Sequence, residues 1–64
     1  MIINGKDMNF KSEITISKLL KELNLPYEKV VVEVNLEIIP KENYECHKLY
    51  ERDNIEVVSF VGGG

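Results

Sequence analysis

The sequence predicts one small α+β domain in which a single helix packs on one mixed sheet. Three observations lead to this prediction. The chain has 64 residues, enough for one domain and no more. One amphipathic helical pattern lies near residue 20, and short β-branched or apolar runs lie on both sides of it. Hydrophobic residues make up 44% and charged residues 30% of the chain, which is typical of a folded globular domain.

Size and charge exclude several classes of function. A chain this short buries only about 60% of its unfolded surface, which leaves little room for a catalytic pocket and favours a binding or carrier role. The net charge is −3 and there is no basic stripe, so we expect no nucleic-acid partner. The longest apolar runs are too short for a bilayer, and residues 1–3 do not resemble a signal peptide. We therefore expect a cytoplasmic protein with no membrane partner.

The N-terminus predicts a β-hairpin. The run 1–5 ends in Asn4-Gly5 and the run 6–11 follows it, and both Asn4 and Gly5 tolerate the positive φ of a tight hairpin turn. The turn has room to extend over residues 6–7. Met8 and Phe10 share one face of the second run.

The helix comes next, and its apolar face consists of Ile16, Leu19, Leu20 and Leu23. Thr15 is a suitable N-cap, since its hydroxyl can accept a hydrogen bond from a first-turn amide. Asn24 stands where a left-handed residue ends a helix, and Pro26 prevents continuation. We interpret this face as core.

The second half of the chain predicts further strands. Val30 to Val34 is a strand with its first, third and fifth residues facing inward, and 37–39 is a short edge strand ended by Pro40. The remaining segments are expected to be a turn or single helical turn at 41–45, a short strand at 47–50, a polar turn at 51–54 and a last strand at 55–61. This order is that of a β-grasp spanning residues 1–61, with four to five strands on one helix and the first and last strands parallel.

The last strand has two unlike faces. Ile55 and Val57 alternate with Glu56, Val58 and Phe60, and the charged Glu56 places its own face toward solvent. Val58 and Phe60, extended by Val31 on the neighbouring strand, then form an exposed apolar patch suited to a partner. The alternative is that a strand twist takes Phe60 into the core.

Residues 62–64 are three glycines and form a predicted flexible tail. Glycine has no side chain to bury and is entropically costly to order, so a structural role is poorly supported. Three extended residues reach about 10 Å, enough to enter a narrow channel in another protein. The terminal carboxylate can attack the α-phosphate of ATP, and a sulfur or nitrogen nucleophile can displace the resulting acyl-adenylate. A passive tail or an expression remnant remains the alternative.

With these features together, the chain resembles the ThiS family, the sulfur carriers of thiamin biosynthesis. The matching segments cover nearly the whole chain and are 1–6, 16–23, 32–35, 37–40 and 55–64. The last of these is the most specific, because it joins a final strand to terminal glycines.

The resemblance implies a mechanism and a set of partners. An E1-like enzyme, ThiF, uses ATP and magnesium to adenylate Gly64, while Gly62 and Gly63 thread into its active site. A persulfide from a cysteine desulfurase or another donor then converts Gly64 to a thiocarboxylate. Thiazole synthase, ThiG, takes the sulfur into the thiazole ring of thiamin. The carrier itself is expected to be no enzyme and to bind no cofactor.

Two turns depart from the family pattern. Leu36 follows Asn35 where the family usually has glycine, and a turn that needs positive φ tolerates leucine badly, so we expect a looser or shifted hairpin. Leu36 is alternatively an exposed contact. Glu51-Arg52-Asp53 stands where the family often has Asp-Gly-Asp, and the role of Arg52 stays open.

Cys46 and His47 are the only other candidates for chemistry. A nucleophile–base pair is disfavoured, because adjacent strand residues point apart and no third orienting group is evident. A metal site is equally unsupported without a second Cys or His. We interpret Cys46 as an ordinary thiol.

Four other functions remain open, and one of them is a carrier that serves cysteine or another sulfur pathway. A MoaD-like carrier uses the same tail to supply molybdopterin synthase, and a ubiquitin-like modifier joins its terminal glycine to lysines. A plain interaction module makes no use of the tail, so deleting Gly63 and Gly64 separates it from the carriers.

Overall fold

The structure is a computed structural model that describes residues 1–60. Its strands are β1 (Ile2–Ile3), β2 (Lys6–Asp7), β3 (Ile14–Thr15), β4 (Val30–Val34), β5 (Glu37–Ile38), β6 (Lys48–Leu49) and β7 (Asn54–Ser59). Helix α1 spans Ile16–Glu22, and two 3₁₀ turns span Tyr27–Lys29 and Lys41–Asn43.

The main sheet has five strands in the order β2-β1-β7-β4-β5. β1 and β7 are parallel, with Ile2 opposite Asn54, and every other neighbouring pair is antiparallel. The N-terminal and C-terminal strands of the described chain therefore lie side by side at the centre. The α+β β-grasp prediction is confirmed, including the parallel first and last strands.

Helix α1 begins and ends where the sequence predicts. The Thr15 side chain accepts a hydrogen bond from the Lys18 amide at 3.2 Å, which satisfies one of the open first-turn donors. Asn24 has φ +58°, a left-handed conformation that stops the helix. Ile16, Leu19 and Leu20 are fully buried, while Leu23 at the helix end is only half-buried.

The core lies between α1 and the inner face of the sheet. It contains the inward residues of β4 and β7, together with Ile3, Leu49 and Tyr44. Tyr44 is 2% exposed, and its hydroxyl accepts a hydrogen bond from the buried Val32 amide at 3.2 Å. This contact satisfies an amide of β4 that has no partner on β5, so the tyrosine is part of the sheet's hydrogen bonding as well as its packing.

Several predicted boundaries are wrong. The 47–50 strand shortens to β6, and it pairs with β3 in a separate two-stranded sheet rather than in the main sheet. The sequence did not predict β3, because a strand of two residues, the second of which is the helix N-cap Thr15, carries no periodic signal. β2 begins at Lys6, as the run 6–11 predicts, but it ends at Asp7 rather than at Lys11, and the turn does not extend over residues 6–7. Asn54 belongs to β7 rather than to the polar turn. β7 ends at Ser59 rather than at residue 61.

The expectation of a looser or shifted hairpin at Leu36 is also wrong. Asn35 and Leu36 have φ values of +51° and +71°, and the register stays tight, with Val34 directly opposite Glu37. Leucine therefore adopts the conformation that glycine would take. Leu36 is 90% exposed, so burial of its side chain does not offset the backbone strain of the positive φ.

Candidate carrier site and docking surface

The predicted attachment residue Gly64 and threading residues Gly62 and Gly63 lie outside the described residues. Their roles, and the domain boundary at residue 61, therefore stay predictions. The structure does describe the chain up to Phe60, one residue beyond β7. Phe60 stands two positions before the first of these glycines.

Phe60 is held by contacts to two different segments. Its amide donates a hydrogen bond to the Lys29 carbonyl at 3.0 Å, which continues the β4–β7 pairing by one more step. The Lys41 ammonium lies 5.6 Å from the centroid of the Phe60 ring, within range of a cation–π attraction. Lys41 also donates a 2.8 Å hydrogen bond to the Glu28 carbonyl, so its cation is anchored rather than free to swing.

The apolar patch lies on the outer face of the sheet, away from α1. Val58 is 56% and Phe60 45% exposed, and Val31, directly opposite Val58, is half-buried. Phe60 is not part of the core, so the alternative in which it turns inward is wrong. The patch is exposed as predicted, and its role as a partner surface stays a prediction.

Two carboxylates continue this face. Glu33 and Glu56 are directly opposed on β4 and β7, one outward-facing row beyond Val31 and Val58. Ile38 on β5 stands opposite Glu33 on its other side and is 66% exposed. Sequence reasoning placed Glu33 and Glu56 outside but missed their opposition, because strand register is not visible from one strand at a time. It also missed Lys41, which lies nineteen positions before Phe60.

The opposite end of the sheet is braced by polar side chains. The Asn35 amide group donates to Asp53 and accepts from the Asn54 backbone amide, at 3.1 and 3.0 Å. Asp53 also accepts a hydrogen bond from the Tyr50 amide at 2.8 Å. These bonds hold the Leu36 turn against the start of β7. Arg52 is exposed and makes no ion pair among the described residues.

Cys46 lies in a turn and not on a strand. The expectation that Cys46 and His47 point apart because they are neighbours on a strand is therefore wrong. It is exposed, and its thiol donates to the Asn43 carbonyl at 3.5 Å. Within residues 1–60, no three metal-ligating side chains come together. In the same range, no helix is long and apolar enough to cross a membrane.

Comparison with known proteins agrees with this geometry. The family model described as the ThiS family matches residues 1–64. The sulfur carrier protein ThiS of Bacillus subtilis (strain 168) is 49% identical over 63 residues, covering 97% of this chain and 96% of that protein. A crystal structure of the thiamine biosynthesis protein ThiS from Geobacter metallireducens superposes with a TM-score of 0.80 at 29% identity, covering 98% of this chain and 96% of that one.

A longer relative matches this chain over only part of its own length. Thiazole synthase of Paramagnetospirillum magneticum is 44% identical over 64 residues, which is all of this chain but only 20% of that protein. The chain thus spans about a fifth of the length of this relative.

The fold, with glycines following its central parallel strand, defines a ubiquitin-like β-grasp protein. With a family model matched over its whole length, the chain belongs to the ThiS family.

Proposed function

We propose that this protein carries sulfur for the thiazole ring of thiamin, as a thiocarboxylate on Gly64. The observation that supports this most strongly is the full-length match to the ThiS family, in a chain whose last strand runs beside an exposed apolar patch toward three glycines. The protein acts as a carrier rather than a catalyst, and its partners supply the catalytic groups.

The proposed chemistry needs only the terminal carboxylate from this chain. A Gly64 carboxylate oxygen attacks the α-phosphate of ATP on an E1-like, ThiF-like enzyme that holds magnesium, and pyrophosphate leaves. The terminal sulfur of a persulfide, made by a cysteine desulfurase or another donor, then attacks the acyl carbon and AMP leaves. A thiol cleaves the resulting S–S bond and releases the thiocarboxylate. Gly62 and Gly63 thread because a channel can close tightly on a backbone without side chains.

A thiazole synthase, ThiG-like, is the proposed acceptor of the sulfur. Support comes from the Paramagnetospirillum magneticum thiazole synthase, in which a ThiS-like segment and the rest of the enzyme share one chain. Such linkage raises the effective concentration of carrier at synthase, which is useful only if the two proteins meet. The single exposed thiol of Cys46 is consistent with a reducing compartment, and we place the reaction in the cytoplasm.

We propose that the E1-like enzyme docks on the patch of Val31, Val58 and Phe60. This position would place the enzyme beside Phe60, which stands two positions before the first of the three glycines. Phe60→Asp is expected to weaken the enzyme's binding of the carrier while the fold persists, since the ring is exposed and its contact is at the surface. Tyr50→Asp is the matched control, an exposed aromatic next to the Asp53 turn. Unfolding of Phe60→Asp, or an equal loss in the control, would contradict the proposal.

Intact-mass measurement tests the proposed function directly. The protein is incubated with the E1-like enzyme, ATP, magnesium and a persulfide donor. We expect a gain equal to exchange of one oxygen for sulfur, located on the peptide ending at Gly64 and abolished by deletion of Gly63 and Gly64. No such gain would refute the proposal. Stable pairing with a molybdopterin-synthase large subunit would favour the MoaD-like alternative, and adducts on lysines would favour a ubiquitin-like modifier.

A further inference from the structure

Glu33 and Glu56 form a like-charged pair at the centre of the outer face. They are directly opposed on antiparallel strands, where side chains of like charge destabilise a sheet. Among residues 1–60, which include every lysine, arginine and histidine of the chain, no cationic nitrogen lies within 4.0 Å of either carboxylate. Among the described residues, no ion pair therefore offsets the repulsion between these two carboxylates.

The surroundings of this pair are apolar. Val31 and Val58 form the adjacent outward row on the side of Phe60, and Ile38 stands beside Glu33. Because outward residues on a strand recur every second position, Glu56 and Phe60 are about 13 Å apart along β7. An interface of ordinary size on this face is large enough to cover Phe60 and the two carboxylates together.

The two carboxylates indicate which kind of partner this face can bind. A second copy of this chain would bring two more carboxylates to the face, and nucleic acid or an anionic membrane would be repelled in the same way. A protein surface with a basic side chain among apolar ones fits both features. Arginine suits it best, since its planar guanidinium pairs with carboxylates in two parallel hydrogen bonds.

We propose that Glu33 and Glu56 together receive a basic side chain, arginine in preference to lysine, from the E1-like adenylating enzyme. This inference rests on the proposed function, which names the partner that covers Phe60. It adds a charged centre to the apolar patch of Val31, Val58 and Phe60. The pair is costly in the isolated carrier and becomes favourable once the partner's cation lies between the two carboxylates.

The double variant Glu33→Gln/Glu56→Gln tests the inference, because it separates binding from stability. Removing the repulsion is expected to raise the melting temperature by about 1–8 °C. Removing the two carboxylates that the enzyme's basic side chain would contact is expected to raise the dissociation constant of the carrier–enzyme complex about tenfold or more. The KM for adenylation should rise equally, with kcat at saturating carrier unchanged. The dependence of the dissociation constant on salt should fall as well.

The matched control is Glu22→Gln/Glu45→Gln, which changes the net charge equally at exposed positions on α1 and in the turn after Asn43. It should leave the dissociation constant and KM unchanged. Binding by calorimetry and adenylation by ATP–pyrophosphate exchange are measured on all three proteins.

Each outcome decides the inference. Unchanged binding in the Glu33→Gln/Glu56→Gln variant overturns it while the proposed function stands, and a lowered melting temperature overturns it by assigning the carboxylates a structural role. If the wild-type protein binds the enzyme through this pair but gains no sulfur, the proposed function fails and the inference survives. If the wild-type protein does not bind the enzyme at all, both are overturned.

Discussion

Leu36→Gly is expected to stabilise the domain, although it removes a large apolar side chain. Leu36 has φ +71° and is 90% exposed, so the substitution removes backbone strain and loses almost no packing. The turn itself is retained, because Asn35 keeps its hydrogen bonds to Asp53 and Asn54. The variant therefore tests whether the strain at this position has a measurable energetic cost.

The magnitude follows from two opposed terms. A residue with a Cβ in the left-handed region costs about 1–2 kcal/mol relative to its ordinary conformations. Glycine itself lowers the free energy of unfolding by about 0.5–1 kcal/mol, because the unfolded chain has more conformations to lose on folding. The net gain in the free energy of unfolding lies between about 0 and 1.5 kcal/mol, and its midpoint of about 0.75 kcal/mol corresponds to a rise in melting temperature of about 3–6 °C in a domain of this size.

Urea and thermal unfolding followed by circular dichroism measure this gain. Leu36→Ala is the control for the side chain, since it keeps a Cβ at positive φ and should change stability little. Gly5→Ala is the reciprocal control: Gly5 has φ +79° and open space around the position of an added Cβ, so only strain is introduced and stability should fall. A loss of stability in Leu36→Gly, or no loss in Gly5→Ala, would refute the reasoning.

Three further substitutions probe other contacts. Tyr44→Phe leaves the buried Val32 amide without its acceptor and should cost about 1–3 kcal/mol in the free energy of unfolding, with the ring packing kept. Thr15→Ala removes the N-cap of α1 and should cost about 0.5–2 kcal/mol, measured by urea unfolding. Lys41→Met removes the cation near the Phe60 ring, so the Phe60 amide should exchange its hydrogen faster while overall stability changes by less than about 1 kcal/mol.

Matched variants give two of these predictions their controls. Thr15→Ser keeps the hydroxyl and should retain most of the wild-type stability, so an equal loss would mean that the cap hydrogen bond is not the cause. Lys41→Arg keeps a cation near the ring and should preserve slow exchange at Phe60. Near-wild-type stability of Tyr44→Phe would show that the Val32 amide finds another partner.

Some features of this protein follow from the sequence alone because their causes are local. The spacing of Ile16, Leu19 and Leu20 identifies a helix and its buried face, since the helical period decides which side chains lie together. In the same way, alternation in Val30–Val34 identifies a strand and the side of it that is buried. The glycines at 62–64 predict a carrier tail, because no side chain there can pack, and this role stays a prediction.

Tertiary structure alone decided the features that depend on register between distant segments. The sequence identifies β6 as a strand, but its partner is β3, 33 to 35 positions earlier in the chain, and only the folded chain brings these two segments together. The opposition of Glu33 and Glu56 likewise exists only once β4 and β7 are paired in one register. Leu36 was expected to loosen its turn. Instead, hydrogen bonds from Asn35 to the start of β7 keep the turn tight, and tertiary contacts thereby override a local preference of the backbone.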